Sequence, residues 1–320
     1  MPINVEQRPS KIAIRWINDG CSDASRKARP NGGRMRPRTR RRLSAPVAVA
    51  ALLFASCGGS SEEATTATTP ATITGNGEVA GTSALQIEEG PLVYVPMGNS
   101  LTFDPFPDNF IARYTAMLEE DFGVDVKVRA HTVGGQRTDD FLAQLRTNDS
   151  LRDDLGDADV VTLLIPNDEW GAPFQTAAGA GVRDPSECGG DDNQQCLRDV
   201  IDSYKQYVDQ IFDELTAIVD PAVTLIRVQD FYQFGTNQMT PEDFDITYPY
   251  WREGQEYVEQ VAGQYGIPVA QVFDDFMGTD GLYIDLVADG LVVGDGIHPT
   301  ADGAERMAML MHDLGYNLAS

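Results

Sequence analysis

A chain of 320 residues, 42% of them hydrophobic, is long enough to bury one large core, and 24 Lys+Arg against 49 Asp+Glu give it a net charge of −25. So acidic a chain repels polyanions, which argues against nucleic acid as a partner. No internal repeat is evident, so repeat architectures are set aside as well.

The positive charge is concentrated near the start. Residues 34–42, RMRPRTRRR, precede an apolar and small-residue stretch from Leu43 to Ser56 that ends before Cys57. This is the layout of a secretory signal, and the stretch is too short for a membrane span. Phe54-Ala55-Ser56-Cys57 resembles a bacterial lipobox, with Phe54 where an aliphatic residue is usual. That resemblance makes Cys57 the expected lipidated first residue of the mature protein. Signals stand at the start of a chain, and Met35 opens a well-formed one. Translation is therefore expected to begin at Met35, with residues 1–34 a misassigned start or disordered and residues 35–56 the signal peptide. The competing reading, an arginine-rich arm for nucleic acid, is disfavoured because the charge run adjoins a hydrophobic stretch. Residues 57–320 keep 12 basic and 46 acidic residues, a charge of −34. Anionic membrane surfaces are then repelled, and contact with a membrane is expected only through the lipid.

Residues 57–90 are rich in Gly, Ser, Thr and Ala and lack periodicity, so they read as a flexible tether. Residues 91–320 read as one domain, expected to be monomeric. Its first element is a buried strand, Leu92-Val93-Tyr94-Val95-Pro96, after which Gly98 permits a sharp turn. Phe110, Tyr114, Met117 and Leu118 form a helical stripe, and Asp125 to Ala130 a second strand. Thr138, followed by Asp139 and Asp140, is placed to cap a helix. A strand follows at Val160 to Ile165. Leu197, Val200, Ile201, Tyr204, Val208, Ile211, Phe212 and Leu215 make the longest helical face. Strands are expected at Val223 to Val228 and Pro268 to Phe273, with a helix from about Trp251 to Gln264 between them. Thr300 caps a last helix whose Ala304, Met307, Ala308 and Met311 face inward. This alternation predicts an α/β fold, three layers α/β/α, with about five mainly parallel strands.

Between those elements lie features with competing readings. Cys188 and Cys196 flank the polar loop Gly-Gly-Asp-Asp-Asn-Gln-Gln, where a disulfide suits an exported protein; two cysteines without a spaced histidine are a poor zinc set. The aromatic segment Phe231 to Trp251 reads either as a substrate wall or as a long loop burying its own rings. Asp274, Asp275, Asp280 and Asp285 lack the alternation of a calcium loop and read as solvated carboxylates. His312, late in a helix, reads as a helix-end histidine.

Two motifs about two hundred residues apart carry chemistry. MGNSLT, Met97 to Thr102, puts Ser100 just after the first strand, and DGIHPT, Asp295 to Thr300, puts an aspartate three residues before His298. Together they supply a nucleophile, a base and a carboxylate that fixes the base's tautomer. Taken alone, MGNSLT is an ordinary strand-to-turn segment. With HTVGGQRT at His131 to Thr138 and LIPND at Leu164 to Asp168 between them in order, the motifs resemble the four blocks of the SGNH (GDSL-type) hydrolases, over roughly residues 91 to 315. The resemblance implies a serine esterase with Ser100 as nucleophile, and His298 and Asp295 completing the triad. It also implies an oxyanion hole from the Ser100 amide, Gly135 and Asn167, and no metal or organic cofactor. Trp170, close after Asn167, is the expected substrate-pocket residue, and Asp168 is expected to bond local backbone amides. Asn99 stands where the family usually has aspartate, and Ile165 where it usually has glycine. The expected substrate is a small-molecule, carbohydrate or lipid ester, and the alternative function is a non-catalytic envelope binding lipoprotein that kept the fold.

Overall fold

The computed structural model describes residues 84–87, 90–103, 107–179 and 184–319. The expected signal peptide, the lipidation residue Cys57 and the start at Met35 lie outside the described residues. Six strands form one sheet: β1 Leu92–Gly98, β2 Val126–Val128, β3 His131–Thr132, β4 Val160–Leu164, β5 Leu225–Gln229 and β6 Val269–Ala270. All pair in parallel in the order β2-β1-β4-β5-β6, and β3 continues the edge of β1 beyond β2. The strand expected at Asp125 to Ala130 is the three-residue β2, the two-residue β3 follows beyond it, and the sheet has five positions across. Val160–Leu164 and Leu225–Gln229 are buried at every residue, the signature of parallel strands covered on both faces.

Nine helices are described: α1 Ser100–Phe103, α2 Phe110–Phe122, α3 Thr138–Thr147, α4 Asp149–Gly156, α5 Gly171–Ala177, α6 Gln195–Ile218, α7 Pro241–Gln264, α8 Val272–Met277 and α9 Ala301–Asp313. Strand alternation assigns the two faces of the sheet. Tyr94 meets Tyr114 of α2 edge-on at 5.7 Å, and its hydroxyl shares a 2.7 Å hydrogen bond with Thr162 of β4. Arg227 of β5, 1% exposed, lies on that same face and donates to the carbonyls of Gly315 and Asn317, both at 2.8 Å. Burial lowers the pKa of its guanidinium, yet the carbonyls satisfy its donors, so a buried cation ties the C-terminal segment to a central strand. That segment in turn holds Leu85, which is buried and donates its N–H to Tyr316 O at 2.9 Å. Leu85 therefore packs with the domain, which begins before residue 90.

Three elements depart from the sequence reading. α7 starts ten residues before Trp251, because Thr240 and Asp243 form a capping box and Pro241 occupies the first turn, where no N–H is needed. Pro249 lies inside this helix. Phe231, Tyr232, Phe244 and Trp251 are all buried, so the aromatic segment is core rather than a substrate wall. The strand expected at Pro268 to Phe273 is two residues of β6 followed by α8. Thr138 is the first residue of its helix and not the cap; its side chain is engaged elsewhere. Thr300 does cap α9, accepting from Gly303 N at 3.0 Å.

Cys188 and Cys196 are joined by a disulfide across the polar loop, with Cα atoms 4.8 Å apart. Trp170 is fully buried, with ring centroids 4.8 Å from Tyr204 and 4.7 Å from Trp251. It is a core residue and not a pocket wall: after the 3-10 turn Asp168–Trp170 the indole packs among the rings of Phe174, Tyr204, Phe231 and Trp251. Gly254 of α7 makes room for it, since a Cβ there would lie 2.3 Å from Trp170 Cη2, whereas a Cβ on Gly263 of the same helix meets nothing within 4 Å. Glycine to alanine in a helix ordinarily stabilises by up to about 1 kcal/mol. Gly263→Ala should follow that rule, while Gly254→Ala should destabilise by about 1–3 kcal/mol through overpacking. Urea unfolding of both variants checks this, and equal effects would contradict the packing.

Candidate active site

β1 ends at Gly98, whose backbone takes φ +153°, and a Cβ there would lie 3.1 Å from Thr102 Cγ2 and 3.2 Å from Leu164 Cβ. Glycine thus lets the chain turn tightly off the strand beside β4, and Ser100 opens α1 at the C-terminal edge of the sheet. β2 and β3 lie on one side of β1 and β4 on the other. The chain therefore reverses its direction of growth at the β1–β4 crevice, where open α/β sheets bind ligands. Ser100 leaves β1 and Asn167 leaves β4 on the two sides of that crevice.

The remaining groups arrive on the segment before α9. Asp295 Oδ1 accepts from the backbone N–H groups of Ile297 at 2.8 Å and His298 at 3.0 Å. Its Oδ2 lies 2.8 Å from His298 Nδ1, and His298 Nε2 lies 3.0 Å from Ser100 Oγ. Burial pushes the Asp295 carboxyl up, but the imidazole and the two amides outweigh it and hold the carboxyl below its ordinary value. An ionised carboxylate facing Nδ1 fixes the proton there, so that Nε2 accepts from the serine. Tyr232, fully buried, donates to Ile297 O at 2.7 Å, pinning the turn between the two residues.

Gly135 takes φ +69° in the loop after β3, and Gly134 packs against the serine, with a Cβ at 134 falling 3.9 Å from Ser100 Cβ. Asn167 is fully buried. Its Oδ1 accepts from Asn99 Nδ2 at 3.1 Å, while its own Nδ2 has no acceptor among the described residues. Asn99 is itself held by Leu101 N, which donates to its Oδ1 at 3.1 Å. The residue that departs from the usual aspartate therefore orients the amide of Asn167: an aspartate has no N–H to give to Oδ1. This role has no local signal in the sequence, because it needs the two strands side by side. Asp168 is exposed, and its contact with the Gly135 loop is its own N–H donating to Gln136 O at 3.3 Å.

Residues 97–306 match the family of GDSL-like lipases and acylhydrolases. The chain belongs to this family. It is accordingly a carboxylic ester hydrolase of the SGNH type, acting on small-molecule esters. Among solved structures, the chain is similar to a lipase from a goat rumen metagenome, with a TM-score of 0.54 and 18% identity over 71% of this chain and 98% of that one. It is also similar to a candidate GDSL-like lipase of Parabacteroides merdae, with a TM-score of 0.50 and 12% identity over 72% and 98%. At such identities these likenesses speak for the fold alone. No curated protein matches the chain.

Among the described residues, no group of three or more His, Cys, Asp or Glu side chains is placed to hold a metal ion. The aspartates weighed for calcium are engaged otherwise: Asp274 pairs with Arg252 at 2.8 Å, Asp275 with Arg306, and Asp280 and Asp285 accept turn amides. His312 pairs with Asp121 at 2.7 Å on the surface. The Asn99 geometry makes a prediction. With Asn167 as the expected oxyanion donor, Asn99→Ala should lower kcat for an ester by about 10- to 100-fold with little change in KM, since misaligning such a donor costs transition-state binding. Steady-state kinetics reads this, and an unchanged kcat would contradict the role of Asn99.

Proposed function

We propose that this chain is a serine esterase that works through an acyl-enzyme on short-chain, O-acetyl or lipid esters. The reading rests on one observation above the others, the continuous line from Ser100 Oγ through both imidazole nitrogens of His298 to Asp295. Ser100 Oγ attacks the ester carbonyl carbon as its proton passes to His298 Nε2. The carbonyl oxygen becomes an oxyanion, for which the Ser100 and Gly135 amides and Asn167 Nδ2 are the proposed donors, each worth about 3 kcal/mol of barrier. The intermediate collapses with cleavage of the C–O bond, and His298 returns its proton to the departing alcohol. A water then gives its proton to His298 as its oxygen attacks the acyl carbon, and collapse breaks the bond to Ser100 Oγ, which takes that proton back from His298 as the acid leaves.

Export and anchoring belong to the same proposal. The basic run at 34–42, the apolar stretch to Ser56 and the cysteine at 57 support a signal peptide and a lipid anchor, with the enzyme in the cell envelope. Metabolic labelling with palmitate in a bacterial host should mark the chain and fail to mark Cys57→Ser; label retained in that variant would contradict the anchor.

The catalytic reading is tested with p-nitrophenyl esters from acetyl to long acyl. The wild type should turn over at least one member, and Ser100→Ala should lose activity by about a million-fold, to background. Activity surviving in that variant would contradict the serine mechanism. A folded protein idle on every ester would favour the non-catalytic envelope binding lipoprotein.

A further inference from the structure

The two loops that carry the proposed oxyanion donors Gly135 and Asn167 are joined by the backbone bond from Asp168 N to Gln136 O and by the side chains of Thr138 and Glu169; the inference below rests on that donor assignment. Thr138, fully buried at the start of α3, donates its N–H to Glu169 Oε2 at 3.1 Å. Its hydroxyl lies 2.7 Å from Pro166 O and also contacts Glu169 Oε1. Pro166 directly precedes Asn167, and Thr138 follows Gly135 by three residues, so these bonds set the distance between the two donors' loops.

Counting protons decides the state of the carboxyl. A threonine hydroxyl has one proton and can donate once. If it donates to Glu169, Pro166 O faces an oxygen lone pair at hydrogen-bond distance. If it donates to Pro166 O, Glu169 Oε1 must bring a proton of its own. Only a neutral Glu169, donating from Oε1 to Thr138 Oγ1 and accepting from Thr138 N at Oε2, satisfies every group. The surroundings agree: burial raises the Glu169 carboxyl above its ordinary value and outweighs the pull of the Thr138 bonds, of its own backbone N–H and of Arg137. The titratable groups facing it are Arg137, already paired with Asp139 at 3.0 Å, and Tyr204 of α6, whose buried hydroxyl has no partner among the described residues.

We propose that Glu169 is a positioning residue for the ester hydrolysis, acting as a neutral acid that clasps the Gly135 and Asn167 loops in register through Thr138. It touches no substrate; its effect on catalysis runs through the placement of the donors. Glutamine reproduces the neutral acid, with an N–H for Thr138 Oγ1 and a carbonyl for Thr138 N, whereas alanine removes the clasp.

The test compares the wild type with Glu169→Gln and Glu169→Ala in two measurements. Infrared difference spectra of the substrate-free protein at about pH 6, where an ordinary glutamate is ionised, should show a carboxylic acid C=O band in the wild type that Glu169→Gln lacks. Subtraction cancels the band of Asp230, another buried acid with a raised pKa. In kinetics on an ester, Glu169→Ala should lose about tenfold or more in kcat with KM within about twofold, and Glu169→Gln should stay within about threefold of wild type. Absence of the acid band, or a glutamine variant as impaired as the alanine one, overturns the clasp. A wild type inactive on all esters overturns the esterase reading instead, and the infrared band then decides the clasp alone.

Discussion

Parallel pairing is the constraint on which the site depends. When five strand positions run in one direction, every C-terminal strand end meets the same edge, and the chain must leave each strand there. Ser100 follows β1, the Gly134-Gly135 loop follows β3, and Asn167 follows β4. None of these groups is near the others in sequence, yet β3 and β4 are each hydrogen-bonded to β1 and deliver them to one edge. The last delivery is different. Asp295 and His298 come from a loop, and that loop is held by the hydroxyl of a fully buried tyrosine, Tyr232, on the exit from β5.

A second layer of hydrogen bonds keeps the edge rigid. Asn99 fixes the amide of Asn167, the backbone N–H groups of Ile297 and His298 fix one oxygen of Asp295, and the Thr138–Glu169 contacts join two loops. Groups so held need little reorganisation as charge develops on a substrate. The rigid edge stands on a sheet whose two central strands are wholly buried and whose C-terminal segment is fastened by the guanidinium of Arg227.

Much of this was legible in the sequence because local patterning and tertiary burial agree. The strands at 92–96 and 160–165, the 197–215 face of α6 and the Thr300 cap of α9 all follow from periodicity and capping chemistry. The family resemblance rested on four short blocks in order, and the fold accommodates all of them. What failed has physical causes. The helix expected from about Trp251 begins at Pro241, because the capping box at Thr240 starts it and the packing of Phe244 and Trp251 carries it across Pro249. Trp170 follows Asn167 by three residues, and proximity in sequence suggested the pocket. After one 3-10 turn its side chain enters the aromatic core, in a gap that Gly254 leaves open. The roles of Asn99 and Glu169 depend on partners 68 and 31 residues away, beyond the reach of any local pattern.

The central claim is that Ser100 is an activated nucleophile, and covalent trapping tests it most directly. A fluorophosphonate probe should label the folded protein with one adduct, located on Ser100 by peptide mass spectrometry, and labelling should slow sharply in His298→Ala, which lacks the base. An unlabelled Ser100 in folded protein, or an adduct that forms equally fast without His298, would contradict the account.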